Sequence, residues 1–251
     1  MLENLTIVKI GGNVIDNSGL LKSFLHDFHS IPGRKILVHG GGKMASDLAT
    51  KLNVPVQMHE GRRITDAEML KIATMVYSGF ISKNIVASLQ SFGTNAIGLS
   101  GADGNCIQAT KRQHPQIDFG FVGDLTADHI NADFFSMLLE QNITPVLSAI
   151  THDGHGQLLN TNADTIASVL AVALSKKFKT DLKFSFEKKG VLSDIEKEDS
   201  VINEITYSNY INLKDRGIIN KGMIPKLDNA FDAINKGVKA VYIGETKIIN
   251  D

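Results

Sequence analysis

Cysteine is nearly absent: Cys106 is the only one in 251 residues. A single thiol cannot close an intramolecular disulfide, which fits a reducing compartment and leads us to expect a cytoplasmic protein. An excess of charge of one sign is also lacking. The 26 Lys and Arg residues nearly cancel 27 Asp and Glu residues, leaving a formal net charge of -1. Bulk electrostatics therefore give no reason to expect a nucleic acid or an anionic membrane as partner. No apolar run approaches the ~18 residues of a membrane span. The opening MLENLTIVKIGG carries an acid at its start and a lysine inside its apolar run, unlike a secretion signal. Repeats, low-complexity tracts and a clear flexible linker are lacking as well. What is present is ordinary globular material, 43% hydrophobic and 21% charged. Its length suits one large α/β domain or two lobes sharing a sheet.

Short apolar runs alternate with amphipathic stretches. Leu5 to Ile10 reads as a buried strand stopped by Gly11-Gly12, and Lys35 to Val38 as a second, stopped by His39-Gly40-Gly41-Gly42. Leu20 to Phe28 and Met44 to Leu52 have helical spacing. This β-α-β-α order implies a largely parallel sheet with helices on both faces. Further on, Asp66 to Leu89 carries a long helical pattern with an expected break near Gly79. Asn95 to Leu99 and Thr144 to Ser148 read as strands, Asp133 to Gln141 and Thr161 to Leu174 as helices. Cys106 to Thr110 and Phe119 to Leu125 suggest a hairpin pair, and His152-Asp153-Gly154 a hairpin turn rather than a metal pair with His155. Past residue 177, where a weak lobe boundary falls, Tyr207 to Arg216 and Ile224 to Asn235 are expected helices, and Val238 to Ile243 the closing strand.

Five motifs carry candidate chemistry. In Val8-Lys9-Ile10-Gly11-Gly12 a lysine sits within a buried strand. That is costly unless its amine emerges at the strand end beside an anion, the alternative being a solvated edge strand. The two glycines let the backbone approach a ligand. His39-Gly40-Gly41-Gly42 precedes a helix, and bare amides there form an anion site. It lacks Walker-loop spacing. It matches an esterase oxyanion loop, but no G-x-S-x-G accompanies it. Gly40-x-Gly42-x-x-Ala45, with Glu60 downstream, also fits a relaxed dinucleotide fingerprint. Gly61-Arg62-Arg63-Ile64-Thr65 offers a guanidinium that can clamp a carboxylate, or a solvated surface pair. Asn160-Thr161-Asn162-Ala163-Asp164 places two amides and a carboxylate at a strand-to-helix junction, where a cap and a functional role are compatible. In Gly222-Met223-Ile224-Pro225-Lys226 a lysine in a first helical turn opposes the helix dipole, which an anionic ligand would explain.

In this order, K-I-G-G, V-H-G-G-G, G-x-R-x-T, N-x-N-A-D and G-M-I-P-K resemble the signature of the amino-acid kinase family from the first strand to the last. The last three favour its acylglutamate branch over aspartate, carbamate, uridylate or glutamate 5-kinases. The resemblance implies a three-layer α/β/α sandwich around a mostly parallel central sheet. Residues 1–176 would form an acylglutamate-binding lobe and 177–251 a nucleotide-binding lobe. It implies ATP-dependent phosphorylation of the γ-carboxylate of N-acetyl-L-glutamate, or alternatively of N-succinyl-L-glutamate, in arginine biosynthesis. Arg62 or His59 could meet the extra carboxylate of a succinyl group. Lys9 and Lys226 would neutralise the phosphoryl group in flight, and Asp164 would organise both. Gly41 and Gly42 would cradle the substrate, Arg63 would clamp its α-carboxylate and Asn160 would contact its acylated end. Gly11, Gly12, Glu187, Gly190, Ile218, Ile219 and Asn220 would meet the nucleotide. Mg²⁺ would arrive with ATP, the chain supplying no metal site of its own.

The nucleophile, a glutamate side chain of pKa near ~4.3, is ionised at neutral pH. No general base is needed, only positioned cations and amides. One departure stands out. Where the family has T-D-V or S-D-V, this chain has Phe186-Glu187-Lys188. The arginine-inhibited hexameric relatives carry an extra N-terminal helix, so a homodimer without arginine feedback is expected. Two readings of other classes remain. One is a nicotinamide-dependent oxidoreductase built on Gly40-x-Gly42, the other an inactive regulatory relative.

Overall fold

The computed structural model describes residues 2–59, 62–185, 189–194, 196–219 and 223–251. The first half runs β1 (Asn4–Ile10), α1 (Gly12–Ile15), α2 (Ser18–Ser30), β2 (Arg34–His39), α3 (Gly42–Lys51), β3 (Gln57–His59), β4 (Arg62–Ile64), α4 (Ala67–Thr74), α5 (Ser82–Ser91) and β5 (Ala96–Leu99). It continues with β6 (Thr110–Lys111), β7 (Val122–Asp124), α6 (Ala132–Glu140), β8 (Thr144–Ser148), β9 (Ile150–His152), β10 (Leu158–Thr161) and α7 (Ala163–Ser175). The remainder is β11 (Lys179–Phe184), β12 (Glu204–Ile205), α8 (Tyr207–Asp215), α9 (Ile224–Asn235), β13 (Ala240–Ile243) and β14 (Thr246–Ile248).

Among the described residues the main sheet has eight strands in the order β12-β14-β13-β11-β1-β2-β8-β5. Every pairing in it is parallel except β13 with β14. Strand β1 is central because its Leu5, Ile7, Val8 and Ile10 are all buried, as a strand covered on both faces requires. Alternate side chains leave opposite faces. Lys9 meets α7, whereas Val8 lines a cleft with Phe24 and Phe28 of α2. The two helices therefore cover opposite faces, and the fold is the expected three-layer α/β/α sandwich. Helix α7 packs with α9 on one side, and α2 with α5 on the other. Small residues Ala163, Ala167, Ala171 and Ala173 let α7 lie close to the sheet, and Ile166, Leu170 and Leu174 fill the contact. Truncating fully buried Leu170 to alanine would cost about 2–5 kcal/mol. A smaller sheet, β6-β7-β10-β9, and the β3-β4 hairpin stand apart from the main one.

Two expectations need correction, and one strand carries no local signal. The helix over 67–91 does not break at Gly79. It runs on through a π-helical stretch, Met75–Ile81. By length and composition this helix of 25 residues, with an 18-residue window of mean hydropathy 1.2, is long and apolar enough to cross a membrane. Its Met69, Ile72, Ala73, Val76, Ile85 and Leu89 instead belong to the core of this fold. Strand β11 was not anticipated because lysines and an aspartate interrupt its sequence. Its Lys183 is accommodated by lying over the Tyr242 ring, 5.1 Å from the centroid. The closing strand is not β13 but β14, which follows the tight turn at Gly244 (φ +59).

Candidate functional site

The chain leaves β1 toward β2 on one side, and β11 joins on the other. Strand order reverses at β1, the place where open α/β sheets bind ligands beyond the carboxyl ends of their strands. Lys9 sits there, in register with Val38 and Phe184. Its Nζ is 2.9 Å from Asp164 Oδ1, with the lysine side chain 18% and the aspartate 49% exposed. The partner explains how a lysine survives in a buried strand, and its exposure leaves the pair open to a ligand. Asp164 lies in the first turn of α7, where a negative charge suits the helix dipole. Asn162 caps that helix, its side chain accepting from the Thr165 N–H at 3.0 Å.

The glycine turn follows β2. His39 is fully buried, and burial pushes its imidazole down to about 4, against the opposing effect of its bond to Gly40. The ring is therefore neutral near pH 7. Its Nδ1–H donates to the Gly40 carbonyl at 2.9 Å, leaving Nε2 buried without a partner. Gly41 has φ +156, and a Cβ there would lie 2.3 Å from Ile81 Cδ1 and 2.9 Å from Tyr77 Cδ1. Only glycine fits. Gly42 opens α3, whose first turn has no acidic residue and no side-chain cap. Its free amides are an anion cradle.

Arg63 reaches this turn from β4. Its Nη2 donates to the Gly42 carbonyl at 2.9 Å and to Ser46 Oγ at 2.7 Å. Asn160, on β10, donates through Nδ2 to Thr65 Oγ1 at 3.0 Å. Thr65 is fully buried, fixed by backbone bonds to Phe119 and Phe121. Gly40 abuts Ala163, beside Asp164: a Cβ on it would be 3.8 Å from that of Ala163. The first four motifs are thus joined in one network of contacts. Lys9 meets Asp164, Gly40 meets Ala163, Gly42 meets Arg63, and Thr65 meets Asn160.

The remaining candidates lie toward the second lobe. Gly11 and Gly12 turn the chain out of β1. A Cβ at Gly12 would meet nothing within 4 Å, so packing does not demand that glycine. Gly190 is a packing glycine, since a Cβ would fall 2.6 Å from Thr246 Oγ1. Ile219 is buried in the core, and Ile218 packs against it. Lys226 is exposed on the first turn of α9, which lacks acids and a side-chain cap there. Glu60, Gly61, Phe186, Glu187, Lys188, Asn220 and Gly222 lie outside the described residues.

His152 and Asp153 do form a turn: His152 Nδ1 accepts from the Gly154 N–H, and Asp153 Oδ1 from those of His155 and Gln157. A cleft of about 410 Å³ between α2 and β11 lies on the sheet face away from Lys9. Sequence reasoning overlooked Ser46 and Tyr77 as neighbours of Arg63. Tyr77 looks like any core aromatic on an amphipathic helix. Ser46 carries a weak signal, its place one turn after Gly42.

The model of the amino acid kinase family matches residues 4–245. A protein of Cytophaga hutchinsonii named acetylglutamate kinase is 56% identical over 243 residues, 96% of this chain and 91% of that relative. One of the same name from Phocaeicola vulgatus is 51% identical over 251 residues, 100% of this chain and 97% of that relative. Among solved structures, smu.665 from Streptococcus mutans superposes with a TM-score of 0.79 at 28% identity, covering 98% of this chain and 99% of that one.

Proposed function

The chain belongs to the amino acid kinase family, and from that premise we propose that it transfers the γ-phosphoryl group of ATP to the γ-carboxylate of N-acetyl-L-glutamate. The observation that carries this reading is the half-open Lys9–Asp164 pair at the end of the central strand, linked through Gly40 to the Gly42–Arg63 turn. Its relatives named acetylglutamate kinase span nearly their full length in this chain.

The residues divide the work by charge. Arg63, already at the mouth of α3, exchanges its bond to Gly42 for the substrate's α-carboxylate, which the Gly41 and Gly42 amides also face. Asn160, held by Thr65, meets the acyl end. This leaves the γ-carboxylate toward Lys9. One of its oxygens attacks the γ-phosphorus, the bond to the bridging oxygen of ADP breaks, and ADP leaves with that electron pair. Both reactants are anionic, so the required help is electrostatic. Lys9 and Lys226 stabilise the transferring group from two sides, and Asp164 keeps Lys9 aimed. Gly11, Gly12, Glu187, Gly190, Ile218, Ile219 and Asn220 serve the nucleotide in a second lobe, residues 177–251, with residues 1–176 as the acylglutamate lobe. Asp164 offers an oxygen of the type Mg²⁺ takes, although most of the ion's ligands would be phosphate oxygens and water. Bound there, Mg²⁺ would neutralise phosphate charge.

We place the enzyme in arginine biosynthesis, in the cytoplasm, as a homodimer. Support for a dimer comes from exposed Met75 and Phe80 on the 67–91 helix and Ile97 on the edge strand β5. The function is tested by incubating the protein with Mg-ATP, hydroxylamine and either N-acetyl- or N-succinyl-L-glutamate. ADP and a hydroxamate should form together with the acetyl substrate. Faster turnover of the succinyl compound would reassign the acyl group, and no hydroxamate from either would remove the reading.

A further inference from the structure

Tyr77 is almost fully buried, 4% exposed, yet it does not simply fill the core. Its ring stands against Gly41, with Cδ1 and Cε1 2.9 and 3.2 Å from where a Cβ would be. Its hydroxyl comes within 4.0 Å of the corresponding point on Gly42, and Arg63 Nη2 lies 3.7 Å from that same point. Phenol and guanidinium thus flank one glycine at the head of α3. Burial raises the phenol's pKa while the adjacent Arg63 pulls it back, so the hydroxyl stays protonated near neutral pH and can both donate and accept.

The backbone beneath Tyr77 is also unusual. It lies in the seven-residue π-helical stretch Met75–Ile81, and such stretches gather at functional sites. The next residue, Ser78, bonds Ser148 Oγ through its own Oγ at 2.7 Å, at the carboxyl end of β8, the neighbour of β2. Ile81, one turn on, closes over the same Gly41. The wide turn is therefore anchored to the sheet at the level of the site.

We propose that Tyr77 is a positioning residue for acylglutamate binding: its ring holds the Gly41 turn and its hydroxyl fixes the Arg63 guanidinium that receives the substrate's α-carboxylate. This rests on the function proposed above. Neither residue touches the transferring phosphoryl, so the effect belongs in the affinity for one substrate.

The test is steady-state kinetics on the full chain, with N-acetyl-L-glutamate and ATP varied in turn. Tyr77→Phe removes only the hydroxyl. It should raise KM for the acylglutamate by about 10- to 150-fold, the range expected for one hydrogen bond to a charged group. The kcat, the KM for ATP and the Tm should remain near wild-type values. Tyr77→Leu, which also frees the Gly41 turn, should lower kcat as well. In a double-mutant cycle with Arg63→Lys, the Tyr77→Phe effect should shrink. A Tyr77→Phe enzyme with unchanged KM for acylglutamate, or one whose two KM values rise together, overturns the inference alone. A wild type that turns over no acylglutamate overturns the function and this inference with it.

Discussion

Replacing Lys9 with methionine separates a catalytic role from a structural one. Methionine keeps an unbranched stem in the strand and deletes the ammonium. The pair it breaks is only partly sheltered, Asp164 being 49% exposed, so water can solvate the carboxylate left behind. An ion pair of that exposure is worth about 1 kcal/mol or less. At roughly 2–4 °C per kcal/mol for a chain of this size, Tm should move by no more than ~4 °C. The chemistry should suffer far more. Removing one preorganised donor from a developing anion typically costs ~10²–10³ in kcat. The assay is ADP release under saturating substrates, with thermal unfolding of the same preparations. A kcat within tenfold of wild type would refute the role of Lys9. So would a Tm loss above ~10 °C, which would mean that the pair chiefly holds the fold.

Other consequences follow from single residues. Gly41→Ala places a methyl 2.3 Å from Ile81 Cδ1 at φ +156, so it should cost about 1–3 kcal/mol of stability and most activity. Gly12→Ala meets nothing within 4 Å and should leave Tm unchanged while raising the KM for ATP; equal Tm values for the two variants would contradict this contrast. His39 is neutral when folded, at about 4, against 6.5 for its ordinary value. Between pH 6.5 and 4 the unfolded chain therefore binds a proton that the folded chain does not, and stability falls as pH drops through that window. The full gap is worth roughly 3 kcal/mol. Denaturant titrations of His39→Asn should show a shallower loss than wild type over this range, and parallel curves would disprove it. Arg63→Lys loses the forked geometry and should raise the KM for acylglutamate at least ~10-fold, with the KM for ATP unmoved.

The chain's periodicities disclosed most of the fold, because β1, β2 and β8 are apolar enough to announce burial. The misses share a cause. Strand β11 hides its centrality behind Lys179, Asp181 and Lys183, whose stems and partners lie outside any local pattern. The short β12 and β14 are made by pairing at the sheet edge, not by sequence preference. The π-helical stretch keeps an apolar pattern indistinguishable from an α-helix, and Gly79 suggests a break that the helix, running on through an exposed position, does not make. At the candidate site, Lys9, Asp164, Arg63, Gly41, Gly42 and Asn160 were legible because each is an odd residue for its local structure: a lysine in a buried strand, a clustered glycine turn, an amide at a strand-to-helix junction. Tyr77 was invisible for the opposite reason. An aromatic on an amphipathic helix is the expected core residue, and only its closeness to Gly41 and Arg63 in space distinguishes it.

The most direct test of the central claim follows the acceptor oxygen. N-acetyl-L-glutamate with both γ-carboxylate oxygens labelled with ¹⁸O is incubated with the enzyme, Mg-ATP and hydroxylamine, and the released inorganic phosphate is examined by ³¹P NMR. Attack by the carboxylate makes one labelled oxygen the bridge to phosphorus, and hydroxylamine then cleaves at the carbonyl carbon. The account predicts inorganic phosphate carrying one ¹⁸O in step with hydroxamate. Unlabelled phosphate, released at the rate of ADP, would mean that water is the acceptor and would contradict it.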